Sequence, residues 1–255
     1  MLLEVKNLDY QTLNQKIRQA EEDKEICLTG CCGQRFLAAG MKDKTITIHG
    51  IPGNALGAYL DGASIEVYAN AQDAVGDTMN DGSILIHGSI GDAAGYAMRG
   101  GKIFIQKDAG YRAGIHMKAY QDKIPVMVIG GRAGSFLGEY QAGGIIVVLG
   151  LDQDGSGEDR FSGCAEAPRK PIVGNFPCTG MHGGTLYLRG SAEGIRFPKN
   201  VCVREAEPAD LDAIQDILDE FCGHFGYDAA AIRNSRFTVI TPDSKNPYKQ
   251  MYVAN

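Results

Sequence analysis

Tryptophan is absent from the 255 residues, and no apolar run reaches the ~18 residues that a membrane-spanning helix requires. The opening Met1-Leu2-Leu3-Glu4-Val5-Lys6 lacks the unbroken apolar core of a signal peptide. The expected location is therefore the cytoplasm, with no membrane as partner. Basic charge is also in short supply. Against 31 Asp and Glu stand 25 Lys and Arg, a formal net charge of -6. A general nucleic-acid binder needs a basic surface to release counterions from phosphates, so nucleic acid is not an expected partner. CxxC pairs are missing too. The seven cysteines (Cys27, Cys31, Cys32, Cys164, Cys178, Cys202 and Cys222) are odd in number and irregularly spaced, which excludes a disulfide framework and predicts reduced, structural thiols.

Glycine is the excess. The 34 glycines are nearly twice the usual share of about 7%. They keep phase with short apolar segments: Ile26-Cys27-Leu28, Ile46-Thr47-Ile48, Ile65-Glu66-Val67, Ile84-Leu85-Ile86, Ile103-Phe104-Ile105, Val126-Met127-Val128, Ile146-Val147-Val148 and Leu186-Tyr187-Leu188. The first residues of these segments lie 20, 19, 19, 19, 23, 20 and 40 apart, the last interval being two periods. Between them run Gly50-x2-Gly53-x3-Gly57-x4-Gly62, Gly88-x2-Gly91-x3-Gly95-x4-Gly100-Gly101 and Gly130-x3-Gly134-x3-Gly138-x4-Gly143-Gly144. Helical repeats do not fit, because each internal glycine costs about 0.8–1.0 kcal/mol relative to alanine. A leucine-rich repeat does not fit either, since its leucine spacing is missing.

The pattern predicts an all-β solenoid, a right-handed parallel β-helix of seven or eight coils with short helical caps at both ends. Glycine would supply the positive-φ corners. Alternation within each segment directs Ile84 and Ile86 inward and Leu85 outward, alongside outward Thr47, Glu66 and Phe104. Three regions follow. Residues 1–24 form an N-terminal helical cap, in which Asp9 caps a helix over about Tyr10 to Glu22 with Leu13, Ile17 and Ala20 as its apolar stripe. Residues 25–200 hold the repeats, with an excursion at about 151–184 where the period breaks. Residues 201–255 hold a helix from Pro208 to a stop at Gly223, a strand at Phe237 to Ile240, and a tail marked by Pro242 and Pro247.

The strings Tyr68-Ala-Asn-Ala-Gln-Asp-Ala-Val-Gly-Asp-Thr-Met-Asn-Asp-Gly-Ser-Ile-Leu-Ile-His-Gly88 and Gly130-Gly-Arg-Ala-Gly-Ser-Phe-Leu-Gly138 resemble the GXGXG domain of the glutamate synthase large subunit. The resemblance covers residues 25–195. That domain is similar to the β-helix subunit of formylmethanofuran dehydrogenase, and in both families it is structural. The resemblance implies a non-catalytic assembly subunit of a split glutamate synthase, one that orients glutaminase and synthase modules for glutamate formation from glutamine and 2-oxoglutarate. Its partners would be the amidotransferase and synthase polypeptides, which would carry FMN and an iron–sulfur cluster; no cofactor is expected on this chain. Alternatives are a formylmethanofuran-dehydrogenase-like assembly, an independent β-helix hydrolase, and a homo-oligomer through an uncapped end.

Side chains with chemical capacity point the same way. No catalytic, cofactor-binding or metal-binding residue is assigned. Of the two arrangements a glutaminase would use, Met1 followed by Leu2 excludes a processed N-terminal cysteine, while a Cys–His pair stays open. Cys31 and Cys32, adjacent in a glycine-rich corner, read as packing residues. His49, Tyr68 and His87 fall at equivalent positions and predict a surface ladder, short of a metal site. His116 with Lys118, and Cys178 with His182, read as solvated loop residues. Asp152, Asp154, Glu158 and Asp159 lack the full ligand spacing of an EF-hand. Asp73, Asp77, Asp92 and Asp108, spread over successive repeats, are the carboxylates a hydrolase would use. The glycines cradle no phosphate, because no amphipathic helix follows Gly30-x2-Gly33 or Gly50-x2-Gly53-x3-Gly57.

Overall fold

The computed structural model describes residues 1–20, 23–151 and 171–243. Each apolar triplet becomes part of a strand. After β1 (Leu2–Glu4) and α1 (Tyr10–Gln19) come β2 (Glu25–Cys32), β3 (Thr45–Ile51), β4 (Asp61–Val67), β5 (Asp81–Ile86), β6 (Lys102–Ile105), β7 (Val126–Ile129), β8 (Ala142–Val148) and β9 (Gly183–Arg189). The order closes with β10 (Val201–Glu205), α2 (Pro208–Asp212), α3 (Gln215–Phe225), α4 (Ala229–Arg233) and β11 (Phe237–Pro242). These strands form one sheet in the order β1-β2-β3-β4-β5-β6-β7-β8-β9-β11-β10. Neighbours are parallel from β1 to β9, whereas β11 runs antiparallel to both β9 and β10.

This corrects the expected right-handed parallel β-helix of seven or eight coils. A β-helix spreads its strands over several faces of each coil, but here each repeat gives one strand to a single, open, mostly parallel sheet. The rest of the repeat is turn, touched only by isolated bridges such as Ala71 to Ile90 and Ile90 to Ala109. At its C-terminal side the sheet is finished by an antiparallel pair rather than another repeat. The cause lies in the backbone of the turns. Every second residue there takes positive φ: Ala55, Gly57 and Tyr59; Ala74, Gly76 and Thr78; Ala93, Gly95 and Ala97; Arg112, Gly114 and His116. Such a backbone cannot be extended strand. It nonetheless stacks, because Gly57, Gly76, Gly95 and Gly114 donate N–H bonds of 2.7–2.8 Å to Leu37, Leu56, Val75 and Ala94 in the preceding turns.

Register agrees with the repeat except at one strand. Ile26, Ile46, Ile65, Ile84, Ile103, Met127, Ile146 and Leu186 share one column. Met127, not Val126, carries the register in β7. The run Ile124-Pro125-Val126-Met127-Val128-Ile129 has no polar residue to mark the pleat, so alternation alone could not fix it.

The sheet is covered along its inner face and, in its later half, along its outer face as well. Inward residues of β2 to β9 pack on the turn layer, where Leu37, Leu56, Val75, Ala94, Ala113 and Leu137 are buried. Outward positions are half-exposed early in the sheet (Cys27, Thr47, Glu66) and become apolar and buried later: Leu85, Phe104, Val128, Val147 and Tyr187. Leu218, Phe221 and Cys222 of α3 lie over that later stretch, with the Phe104 and Phe221 ring centroids 5.9 Å apart, edge to face. The C-terminal segment is thus a cover for the outer face as well as an end. Its helix is broken after Asp212 and stops at Gly226 (φ 76), not at Gly223, which lies inside α3.

At the other end α1 starts at Asp9, whose carboxylate accepts from the Gln11 and Thr12 backbone N–H groups at 3.0 Å. Leu13, Asn14 and Ile17 are buried. Asn14 replaces a missing turn: its Nδ2 donates to the Phe36 carbonyl (2.7 Å) and its Oδ1 accepts from Ala38 N–H (2.9 Å). No helix among the described residues is long and apolar enough to cross a membrane.

Candidate functional site

Asp73, Asp92 and Asp108, in the turns, each commit one carboxylate oxygen to a backbone N–H of the following repeat. Asn54 Oδ1 accepts from Asp73 N–H (3.4 Å), Asp73 Oδ1 from Asp92 N–H (2.9 Å), and Asp92 Oδ1 from Tyr111 N–H (2.7 Å). A second ladder runs beside it: Asn70 Oδ1 accepts from Ser89 N–H (2.9 Å), Ser89 Oγ from Asp108 N–H (3.3 Å), and Asp108 Oδ1 from Arg132 N–H (2.7 Å). Asp77 Oδ1 accepts from the Thr78 hydroxyl at 2.7 Å. The glycines answer to this arrangement. A Cβ on Gly91 would lie 2.0 Å from Asp73 Oδ1, and one on Gly131 would lie 2.2 Å from Asp108 Oδ1.

Asn54, Asn70 and Ser89 were not among the residues the sequence singled out. The signal that could have found them is a short polar side chain recurring 19 residues apart at 54, 73 and 92, and at 70, 89 and 108. Such side chains readily bond nearby backbone N–H groups. The parallel stack brings the next turn's backbone within reach.

His49, Tyr68 and His87 form the stacked column that their spacing predicts. His49 and Tyr68 lie 5.2 Å apart at 15°, and Tyr68 and His87 4.5 Å apart at 11°. Phe225 of α3 closes the column edge-on to His87 at 5.1 Å. A His87 ring nitrogen lies 2.8 Å from Glu66, and a hydrogen bond to Glu66, with partial burial, pushes the Tyr68 hydroxyl's pKa up. Among the described residues no group of three or more His, Cys, Asp or Glu could hold a metal ion.

The cysteines separate by burial. Burial pushes the Cys31 thiol up to about 11 and Cys178 to about 12, so both stay protonated and inert as nucleophiles near neutral pH. Cys32 is exposed. Asp152, Asp154, Glu158 and Asp159, with Cys164, lie outside the described residues.

The two pairs expected as isolated loop residues come together in part. His116, Lys118, Tyr140, Ala142, His182, Gly183 and Gly184 line one groove of about 630 Å³ at the junction between turns and strands. His116 and Tyr140 are stacked at 5.1 Å and 10°. Cys178 is buried in the core instead.

The model of the GXGXG motif family matches residues 4–242. An uncharacterized protein of Methanocaldococcus jannaschii is 44% identical over 261 residues, covering 99% of this chain and 96% of that protein.

Proposed function

Because the chain belongs to the GXGXG motif family, that of the glutamate synthase C-terminal domain, we propose that it is a non-catalytic assembly subunit of a split glutamate-synthase-type complex. In this reading it sets the distance and orientation between a glutaminase and a synthase polypeptide, so that ammonia released from glutamine reaches 2-oxoglutarate. FMN and iron–sulfur chemistry would reside on those partners. The observation that carries the reading is the use of Asp73, Asp92 and Asp108: each accepts a backbone N–H bond from the following repeat, so the acidic side chains tie the stack together. A hydrolase would need two such carboxylates held apart around a substrate bond. A sheet bonded on both sides at every interior strand is stiff, as a spacer must be.

The test is purification of the tagged full chain from its native cell at low salt, with mass spectrometry and an optical spectrum. Recovery of glutaminase and synthase polypeptides with a flavin and iron–sulfur spectrum is expected. A chain recovered without them would overturn the proposal.

A further inference from the structure

We propose that β10 is a dimer interface, its free edge pairing antiparallel with β10 of a second copy of this chain about a two-fold axis at Val203. The inference stands apart from the assembly reading, since it needs no other polypeptide. β10 ends the sheet, with β11 on one side and no strand on the other. Asp243 N–H bonds to Asn200 O and Ala206 N–H to Phe237 O, so the even-numbered residues of this strand face β11. Antiparallel pairing alternates, and the N–H and C=O groups of Val201, Val203 and Glu205 therefore point away from the sheet. Among the described residues no backbone group bonds to them; Glu205 O accepts from Arg204 Nη1 at 3.2 Å and keeps a second lone pair. An edge of this kind is a template for another strand.

What the strand carries selects a second copy as the occupant. A two-fold at Val203 engages all three outward residues at once: Val203 meets Val203 of the partner subunit, and Val201 meets Glu205 of the partner subunit. On the other face Cys202 meets Arg204 of the partner subunit, so no like charges lie opposite one another. Charges on an edge usually block pairing, but here both are tied within the chain, Arg204 by Asp210 at 2.5 and 2.8 Å and Glu205 by Arg236 at 2.9 Å. Val203 also ends an apolar row. Leu186, Ile240 and Val203 are register partners on the inner face, the first two fully buried and Val203 39% exposed. Val203 of the partner subunit continues that row, and each valine covers the other. The opposite edge matches itself poorly: Met1 O and Val5 N–H are bonded to β2, so only Leu2 and Glu4 of β1 face outward, and symmetric pairing sets apolar Leu2 against Glu4 of the partner subunit.

The test takes the full chain alone and reads its mass by light scattering over a range of concentrations. A dimer of two 27.3 kDa chains is expected. Val203→Pro removes only an outward N–H, where an edge strand tolerates proline, and Val203→Lys sets two ammonium groups face to face. Each should raise the dimer dissociation constant at least roughly tenfold and leave the circular dichroism spectrum unchanged. Val203→Cys, in a chain with Cys32→Ser and Cys202→Ser, should be joined to its copy by the short thiol reagent dibromobimane, because residues facing each other in this way lie about 5.5 Å apart. Leu2→Cys in the same background should not be joined. A monomer at every concentration would overturn the proposal, even if the edge then took a strand from another polypeptide. So would a dimer left intact by whichever of the proline and lysine variants folds, or one that dibromobimane fails to join at position 203.

Discussion

Glycine in the middle of each turn meets two demands, positive φ and lack of room, and they can be separated by substitution. Gly76 has φ +67, and its Cβ would lie 2.5 Å from Ile103 Cδ1; Gly40 has φ +63 and nothing within 4 Å. Gly76→Ala should therefore cost about 2–4 kcal/mol, from overpacking added to backbone strain, and Gly40→Ala only about 1 kcal/mol. Urea unfolding of both variants measures the difference, and equal losses would mean that packing plays no part. The glycine phase was legible in the sequence, and so was the His49, Tyr68 and His87 column. Left-handed Ala55, Tyr59, Thr78 and His116 were not, because nothing local asks those side chains to adopt positive φ. Hydrogen bonds to the turns on either side impose it.

At the scale of elements, the sheet's two ends are finished by different means. Asn14 of α1 satisfies Phe36 O and Ala38 N–H, which no earlier turn can reach. Asn14→Ala should destabilise the chain by about 1–3 kcal/mol and speed hydrogen exchange at the Ala38 amide; an unchanged amide would show that water serves as well. At the far end Asp210 of α2 holds Arg204 of β10 through two bonds, of 2.5 and 2.8 Å, and accepts from Glu207 N–H at 2.8 Å. Arg204 beside it, with the Glu207 N–H bond, lowers the Asp210 carboxyl below its usual range. A depressed folded-state value stabilises above the unfolded value of about 3.9 and is lost as pH falls through the folded one. The stability difference between the wild type and Asp210→Asn should be full at pH 7 and fade below about pH 4. A difference independent of pH would contradict the ion pair. Helix boundaries were the least legible feature. Gly223 looked like the stop, yet it lies inside α3, and chain reversal waits for Gly226 in the left-handed conformation.

At the scale of the whole molecule, the repeat and nearly all of its register could be read from spacing, but the way its turns close could not. Strand triplets announce parallel pairing. They do not reveal that the rest of each repeat has alternating left-handed residues and so leaves one sheet instead of several. The cover over the outer face had a readable sign: the outward column changes from Cys27, Thr47 and Glu66 to Leu85, Phe104, Val128, Val147 and Tyr187. An apolar outward column needs a lid, and α3 supplies it. The groove was illegible because His116 and His182 lie far apart in the chain and meet only through stacking. The central claim, that the repeated carboxylates build the scaffold and carry out no chemistry, is tested by combining Asp73→Asn, Asp92→Asn and Asp108→Asn, which keep an accepting oxygen. In the assembly proposed above, turnover of glutamine and 2-oxoglutarate would then be measured per assembled complex. The account predicts unchanged turnover, whereas a fully assembled complex that has lost activity would contradict it.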